Sequence, residues 1–264
     1  MLTVNGLSKV YQSGFFTKAS LKAVDQVSFH IAKGACFGII GESGSGKTTI
    51  GKLVTGLLKP TEGSILINGT DILEGNHTKT LAFRRHVQMI FQEPDGVLDP
   101  RWKIGKSMME PYRLHFRDMS RAQARDEIME WVEIVGLSAE HLDRYPFELS
   151  GGQLQRLAFA RAMSLKPELI VADEPTSSLD VSVQAQILTM MKELQHRFHL
   201  TILYITHDLY VARQVCETVA VMQKGRLIEQ GSAQEVFAHP QEAYTKDLLA
   251  AQLPPDLTSK QKIL

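Results

Sequence analysis

A short apolar run, residues 35–40, leads into Gly41-Glu42-Ser43-Gly44-Ser45-Gly46-Lys47-Thr48-Thr49, and a helical pattern begins at the lysine. No other segment limits the possible folds so strongly. Strand, glycine-rich turn and helix in that order make a cradle in which successive backbone N–H groups converge on a phosphate. Gly41, Gly44 and Gly46 permit backbone geometries and close approaches that a side chain would block. Lys47 adds a mobile positive charge for β- and γ-phosphates. The Thr48 hydroxyl can ligate Mg²⁺, which keeps most of its water and takes few protein oxygens. Gly41, Glu42, Ser43, Gly44, Ser45, Gly46, Lys47, Thr48 and Thr49 are therefore the expected nucleotide-binding stretch.

Around this loop, short runs rich in branched residues alternate with longer helical patterns, the mark of a mainly parallel sheet covered by helices. The clearest strands are residues 35–40, 87–91, 169–172, 201–205 and 218–222. Alternation within 2–7, 24–31 and 63–67 predicts an antiparallel layer beside that sheet. Residues 108–114, 121–135 and 154–163 read as helices with no strand between them. They predict a helical subdomain over 93–160, inserted into a core of 1–92 and 161–237, with a tail over 238–264 whose last residues are frayed. The 264 residues carry equal numbers of acidic and basic side chains, so bulk charge gives no case for nucleic acid as main partner. Cys36 and Cys216 lie in apolar runs without metal-ligand spacing and read as buried free thiols, which fits a reducing cytoplasmic setting.

The acidic half of the site is expected where the apolar run 169–172 ends in Asp173 and Glu174, at the edge where open α/β sheets place ligands. Asp173 would hold the Mg²⁺ shell. Glu174 is placed to orient and deprotonate a water in line with the γ-phosphate, so hydrolysis is implied as well as binding. His207 ends another buried run, expected beside the Asp173 strand, and is either a γ-phosphate sensor or a satisfied structural histidine. Gln92 either contacts Mg²⁺ or the attacking water, or caps the loop that opens the helical insertion. A second anion site is suggested at Ser150-Gly151-Gly152-Gln153, where a serine and two glycines open a helix whose first-turn N–H groups point outward.

Taken together these motifs resemble the nucleotide-binding subunit of an ABC transporter, over essentially the whole chain. The resemblance implies an α/β fold: a RecA-like P-loop NTPase core with an antiparallel β layer and an inserted helical subdomain. It makes residues 41–48 the Walker A loop and Leu149-Ser150-Gly151-Gly152-Gln153 the signature. Gln92 becomes the Q-loop residue, Asp173 and Glu174 the end of Walker B, 177–180 with Asp180 the D-loop, and His207 the switch histidine. Tyr11 falls where the family stacks an aromatic on adenine. Similar proteins dimerise head to tail, so that the signature helix of one subunit closes on the γ-phosphate held by the other. That arrangement explains why one chain needs two phosphate-binding turns.

Residues 91–105 and the signature context 144–156 are similar to the importers for peptides and nickel. The tail resembles that subfamily's His-Pro-Tyr-Thr-Lys pattern, with Gln241, Glu242 and Ala243 interposed between Pro240 and Tyr244, and it lacks the cysteine cluster of some members. The resemblance implies ATP and Mg²⁺, a second and different ATP-binding subunit, two membrane permease subunits, and indirectly an extracytoplasmic substrate-binding protein. It places the chain peripherally on the cytoplasmic face of the membrane, energising uptake of peptide, nickel or a metal–chelator complex. Val97, Leu98 and Trp102 are expected to be exposed and to dock a short permease helix. The alternative reading, a soluble ABC-type clamp on ribosome or DNA, is disfavoured by the single cassette, the neutral charge and the lack of a long coiled-coil insertion.

Overall fold

The computed structural model describes residues 1–13, 19–75, 78, 80–92 and 97–252. In chain order it begins β1 (Leu2–Ser13), β2 (Ala19–Ile31), β3 (Cys36–Ile40), α1 (Lys47–Val54), β4 (Glu62–Ile67), β5 (Thr70–Asp71) and α2 (Leu81–His86). There follow β6 (Val87–Ile90), α3 (Ile104–His115), α4 (Arg121–Ile134), α5 (Gly151–Met163), β7 (Leu169–Asp173) and α6 (Val181–Phe198). The chain continues with β8 (Thr201–Thr206), α7 (Leu209–Val215), β9 (Thr218–Gln223), β10 (Arg226–Ser232), α8 (Ala233–Ala238) and α9 (Ala243–Gln252). The expected fraying of the last residues falls on 253–264, which, like residues 93–96, lie outside the described residues.

Two compact units result, one of residues 1–77 with 201–264 and one of 78–200. This division differs from the expected insertion of 93–160, because β6, β7 and α6 group with the helices. In the first unit β1 pairs antiparallel with both β2 and β4, as the alternation predicts, and bulges interrupt both ladders. β3 runs parallel between β8 and β9, with β10 antiparallel outside β9. The strands read as largely apolar runs because both faces are covered: every residue of β3 and β8 is buried, the terminal threonines of β8 included. Phe29 of β2 stacks on Phe37 of β3 with ring centroids 5.1 Å apart, tying the two sheets together. Cys36 and Cys216 are buried and free, as their apolar surroundings suggest.

The second unit holds the parallel pair β6–β7 and the helices. α4 begins at a reciprocal cap, Ser120 accepting from the Gln123 amide while the Gln123 side chain accepts from the Ser120 amide. Trp131 of α4 packs on Phe198 at 5.2 Å between centroids. Arg161 of α5 donates to Glu110 of α3 at 2.6 Å. Arg156 donates to the Val135 carbonyl (2.8 Å) and to Gln186 of α6 (2.9 Å), so α5 is held from both sides.

Candidate nucleotide site

The phosphate loop leaves the carboxyl end of β3. Gly41, Gly44 and Gly46 take φ of 148°, 80° and 109°, the region L side chains avoid. Two of these glycines are also sterically required. A Cβ at Gly41 would stand 2.2 Å from the Met222 carbonyl oxygen, and one at Gly46 would stand 2.1 Å from that of Ala23. At Gly44 nothing lies within 4 Å, so this glycine opens the cradle instead of filling it. Lys47 is only 5% exposed and donates to the carbonyls of Gly41 (2.7 Å) and Glu42 (2.8 Å). The Ser45 hydroxyl is enclosed without a hydrogen-bond partner. A buried ammonium, an unsatisfied hydroxyl and a helix that starts at Gly46 without a side-chain cap together fit an anion of phosphate type.

The loop is wedged from three sides within its unit. β2 supplies Ala23, β9 supplies Met222, and the tight turn Lys224-Gly225 between β9 and β10 donates the Gly225 N–H to the Ser45 carbonyl at 2.9 Å. Both turn residues have positive φ, 44° and 86°, the geometry of a two-residue hairpin. β10 was not foreseen from sequence; the Lys-Gly pair between two runs of extended character is the signal that reveals it. Asp25 of β2 accepts the Arg226 Nε at 2.5 Å and pairs with Lys22, which fastens this turn to β2. Its carboxyl lies below the ordinary value of 3.8, chiefly through the hydrogen bond from Lys22 and then that from Arg226. A depressed folded-state pKa contributes stability above about 3.8 that is lost as pH falls further. Asp25→Asn should therefore flatten the acid limb of stability below pH ~3.8, measured by urea melts from neutral to acid pH. An unchanged limb would remove the ion cluster from the acid response.

Ile40 of β3 is level with Thr206 of β8, so Gly41 and His207 leave the sheet at the same edge. His207 is exposed, and Asp208 beside it caps α7 by accepting the Val211 amide at 3.1 Å. Tyr11 stands on β1 level with Leu21, 38% exposed, with the Lys9 ammonium 5.5 Å from its ring centroid.

The second unit gathers the acidic residues in the same manner. Ile90 of β6 is level with Ala172 of β7, so Gln92 and the pair Asp173, Glu174 emerge at one carboxyl edge. Asp173 is buried at 6% exposure. Glu174 takes φ 47°, a conformation that costs a non-glycine residue roughly 1–2 kcal/mol, and Ser177 braces it by donating its hydroxyl to the Glu174 carbonyl at 3.2 Å. Asp180 caps α6, accepting the Val183 amide and the Ser182 hydroxyl, each at 3.0 Å, and these bonds, the amide first, lower its pKa. Its carboxylate thus has a structural task that sequence reading did not identify.

At the second anion site Ser150 and Gln153 form a reciprocal cap: Ser150 Oγ accepts the Gln153 amide (3.3 Å) and Gln153 Oε1 accepts the Ser150 amide (3.0 Å). Gly151 is exposed, and a Cβ there would only touch Leu179 at 3.4 Å. Gly152 is different, because its Cβ would strike Val183 Cγ1 at 2.4 Å. Gly152 is therefore also required for packing against α6, whereas Gly151 is exposed.

One expectation needs correction. Leu98 is 1% exposed, buried within its own unit, so it is not a surface residue. Asp99 and Arg101 form a two-pronged pair, Nε–Oδ1 3.0 Å and Nη2–Oδ2 2.9 Å, which shapes the turn that tucks Leu98 inward. Val97 and Trp102 remain partly exposed along an open groove of about 600 Å³, with the Lys106 ammonium 3.7 Å from the Trp102 ring centroid. Among the described residues no three His, Cys, Asp or Glu side chains cluster as a metal site, and no helix is long and apolar enough to cross a membrane.

A wedged glycine loop with a buried lysine at a strand-to-helix turn defines a P-loop nucleotide-binding protein. The sequence profile of ABC transporters matches residues 24–177, and the chain belongs to that family. It is 44% identical to the dipeptide transport ATP-binding protein DppF of Haemophilus influenzae, over 95% of this chain and 77% of that one. It is 40% identical to the oligopeptide transport ATP-binding protein OppF of Streptococcus mutans, over 100% of this chain and 85% of the relative. A dimeric ATP-binding cassette solved in a post-hydrolysis state with ADP and phosphate superposes with TM-score 0.78 at 29% identity, over 88% of this chain and 99% of that one. The fold is that of a P-loop NTPase with an antiparallel layer and a helical subdomain, and the protein is an ABC-type ATPase.

Proposed function

We propose that this chain is the ATP-hydrolysing subunit of a peptide importer, working with a second ATPase subunit and two membrane permeases at the cytoplasmic face of the membrane. The observation that carries the reading is the wedged loop with Lys47 buried against it, joined to similarity with dipeptide and oligopeptide transport ATP-binding proteins across nearly the whole chain. Nickel or a metal–chelator complex is an alternative cargo, and a substrate-binding protein outside the membrane would deliver either.

In this reading the loop amides of Gly41 to Thr49 and Lys47 bind the phosphates of ATP, and Tyr11 stacks on the adenine. Thr48 and Asp173, with Gln92, offer the oxygen donors that Mg²⁺ prefers and would hold the ion, which would supply charge neutralisation for the phosphates. Glu174 takes the proton of the attacking water, and His207 donates to the γ-phosphate oxygens. Ser150, Gly151, Gly152 and Gln153, with Asp180, serve the nucleotide of the partner ATPase. ATP then holds the dimer closed, since its γ-phosphate meets both subunits, and hydrolysis releases it. The groove beside Val97 and Trp102 receives the permease. The test is uptake of labelled di- and oligopeptides by cells carrying or lacking the chain. Uptake that continues without it, with nickel uptake lost, would reassign the cargo.

Lys47→Ala and Gly151→Asp separate the two half-sites. Losing a charge-assisted bond to phosphate should weaken ATP binding about 10- to 100-fold in Lys47→Ala. Gly151→Asp should bind ATP normally yet hydrolyse little, because space exists for its side chain within the subunit while a carboxylate would repel the partner's γ-phosphate. Titration with a fluorescent ATP analogue distinguishes them. Equal loss of binding in both would mean that the signature turn serves its own chain's nucleotide.

A further inference from the structure

The helix α9 has no part in the reading above, yet one of its side chains lies beside the phosphate loop. Glu229 of β10 holds the approach to α9, accepting the N–H of Gln241 at 2.8 Å and of Glu242 at 3.1 Å. Burial pushes the Glu229 carboxyl up, but the N–H donors of Gln241 and Glu242 help to outweigh it and leave the group below its ordinary value. Beyond the clamp, Thr245, Leu248 and Leu249 are buried, so α9 is packed against its unit.

Tyr244, in the first turn of α9, faces the backbone amide of Glu42, the second residue of the loop. Its hydroxyl is enclosed and makes no well-formed hydrogen bond to that amide or to any other described group. Burial raises the phenol, so it remains a neutral O–H. The carbonyls of Gly41 and Glu42 are meanwhile taken by Lys47. The entry of the loop is therefore flanked by a lysine that must leave these carbonyls to meet a phosphate and by a tyrosine anchored on a packed helix. A buried hydroxyl short of a partner is costly, and a small rotation of the Glu42 peptide would satisfy it.

We propose that Tyr244 is a positioning residue of the phosphate loop: when Lys47 turns to the nucleotide, the Tyr244 hydroxyl bonds the Glu42 peptide and α9 keeps the loop's entry in its ATP-binding shape. The inference rests on the reading of residues 41–48 as the nucleotide loop. It is tested on the full chain with Tyr244→Phe, by equilibrium titration and dissociation kinetics of a fluorescent ATP analogue, turnover at saturating ATP, and melting without nucleotide. One hydrogen bond gained only on binding predicts a Kd raised about two- to tenfold and faster dissociation. Saturated turnover should stay near wild type, and the nucleotide-free melting temperature should hold or rise, since the variant removes a buried hydroxyl that lacks a partner in that state. Glu229→Gln, which loosens the clamp on α9, should raise Kd in the same direction, and it carries the test should Tyr244→Phe fail to fold. An unchanged Kd in Tyr244→Phe overturns the proposal, including the case in which only nucleotide-free melting falls and the tyrosine is merely structural. An unchanged Kd in Glu229→Gln removes α9 from the loop's control. A wild-type chain that binds no ATP takes away the nucleotide reading and this inference together.

Discussion

Glu174→Gln is expected to bind ATP within about twofold of wild type and to turn it over about 10²–10⁴-fold more slowly, the range by which general-base catalysis contributes. The amide keeps the size of the carboxylate and its place after β7, so the left-handed backbone at φ 47° and its brace from Ser177 need not change. What disappears is the group that accepts a proton from water. The strain at this residue supports a functional reason for it, since a chain selected only for stability would place glycine or asparagine there. Because ATP persists, the variant should also accumulate as the closed dimer with its ATPase partner. Phosphate release and size-exclusion chromatography in Mg-ATP are the measurements. A variant that turns over normally would move the base elsewhere.

Leu98→Asp is expected to unfold the second unit. Leu98 is 1% exposed, and truncating a buried leucine to alanine alone costs about 2–5 kcal/mol. Aspartate adds an unpaired carboxylate in an apolar site, which costs several kcal/mol more or forces the group to take up a proton. Few domains have that much stability to lose. Both tryptophans, Trp102 and Trp131, lie in residues 78–200, so their fluorescence reports this unit alone. Urea melts followed by that fluorescence should show a lost or strongly shifted transition. A variant with wild-type melting that merely fails to co-purify with membrane subunits would return Leu98 to the docking surface.

The buried strands were legible in the sequence because a strand covered on both faces is mostly apolar, as 36–40 and 202–205 are. The chemistry of the glycine loop was legible because its spacing is local. What escaped depends on contacts between distant segments. Gly152 has a packing reason that the sequence hides, because the atom its Cβ would strike belongs to Val183 on another helix. Leu98 sits among prolines and acids in a stretch of exposed character, and only tertiary packing buries it. That Asp180 also caps α6 shows only once its bond to the Val183 amide is seen. Tyr244 and Glu42 are nearly the whole chain apart, and no periodicity links them.

The pairing of β3 has a consequence for how the protein is made. This strand is flanked on one side by residues 201–206 and on the other by residues 218–223, so neither neighbour exists when it leaves the ribosome. From Ile40 to Thr201 the ribosome must add 161 residues, which takes roughly 8–30 s at ordinary elongation rates of about 5–20 residues per second. Throughout that interval a five-residue apolar strand waits with both hydrogen-bonding edges open, the state in which nascent chains stick to one another. The strand that leads into the glycine loop thus stays unpaired on both edges while most of the remaining chain is made.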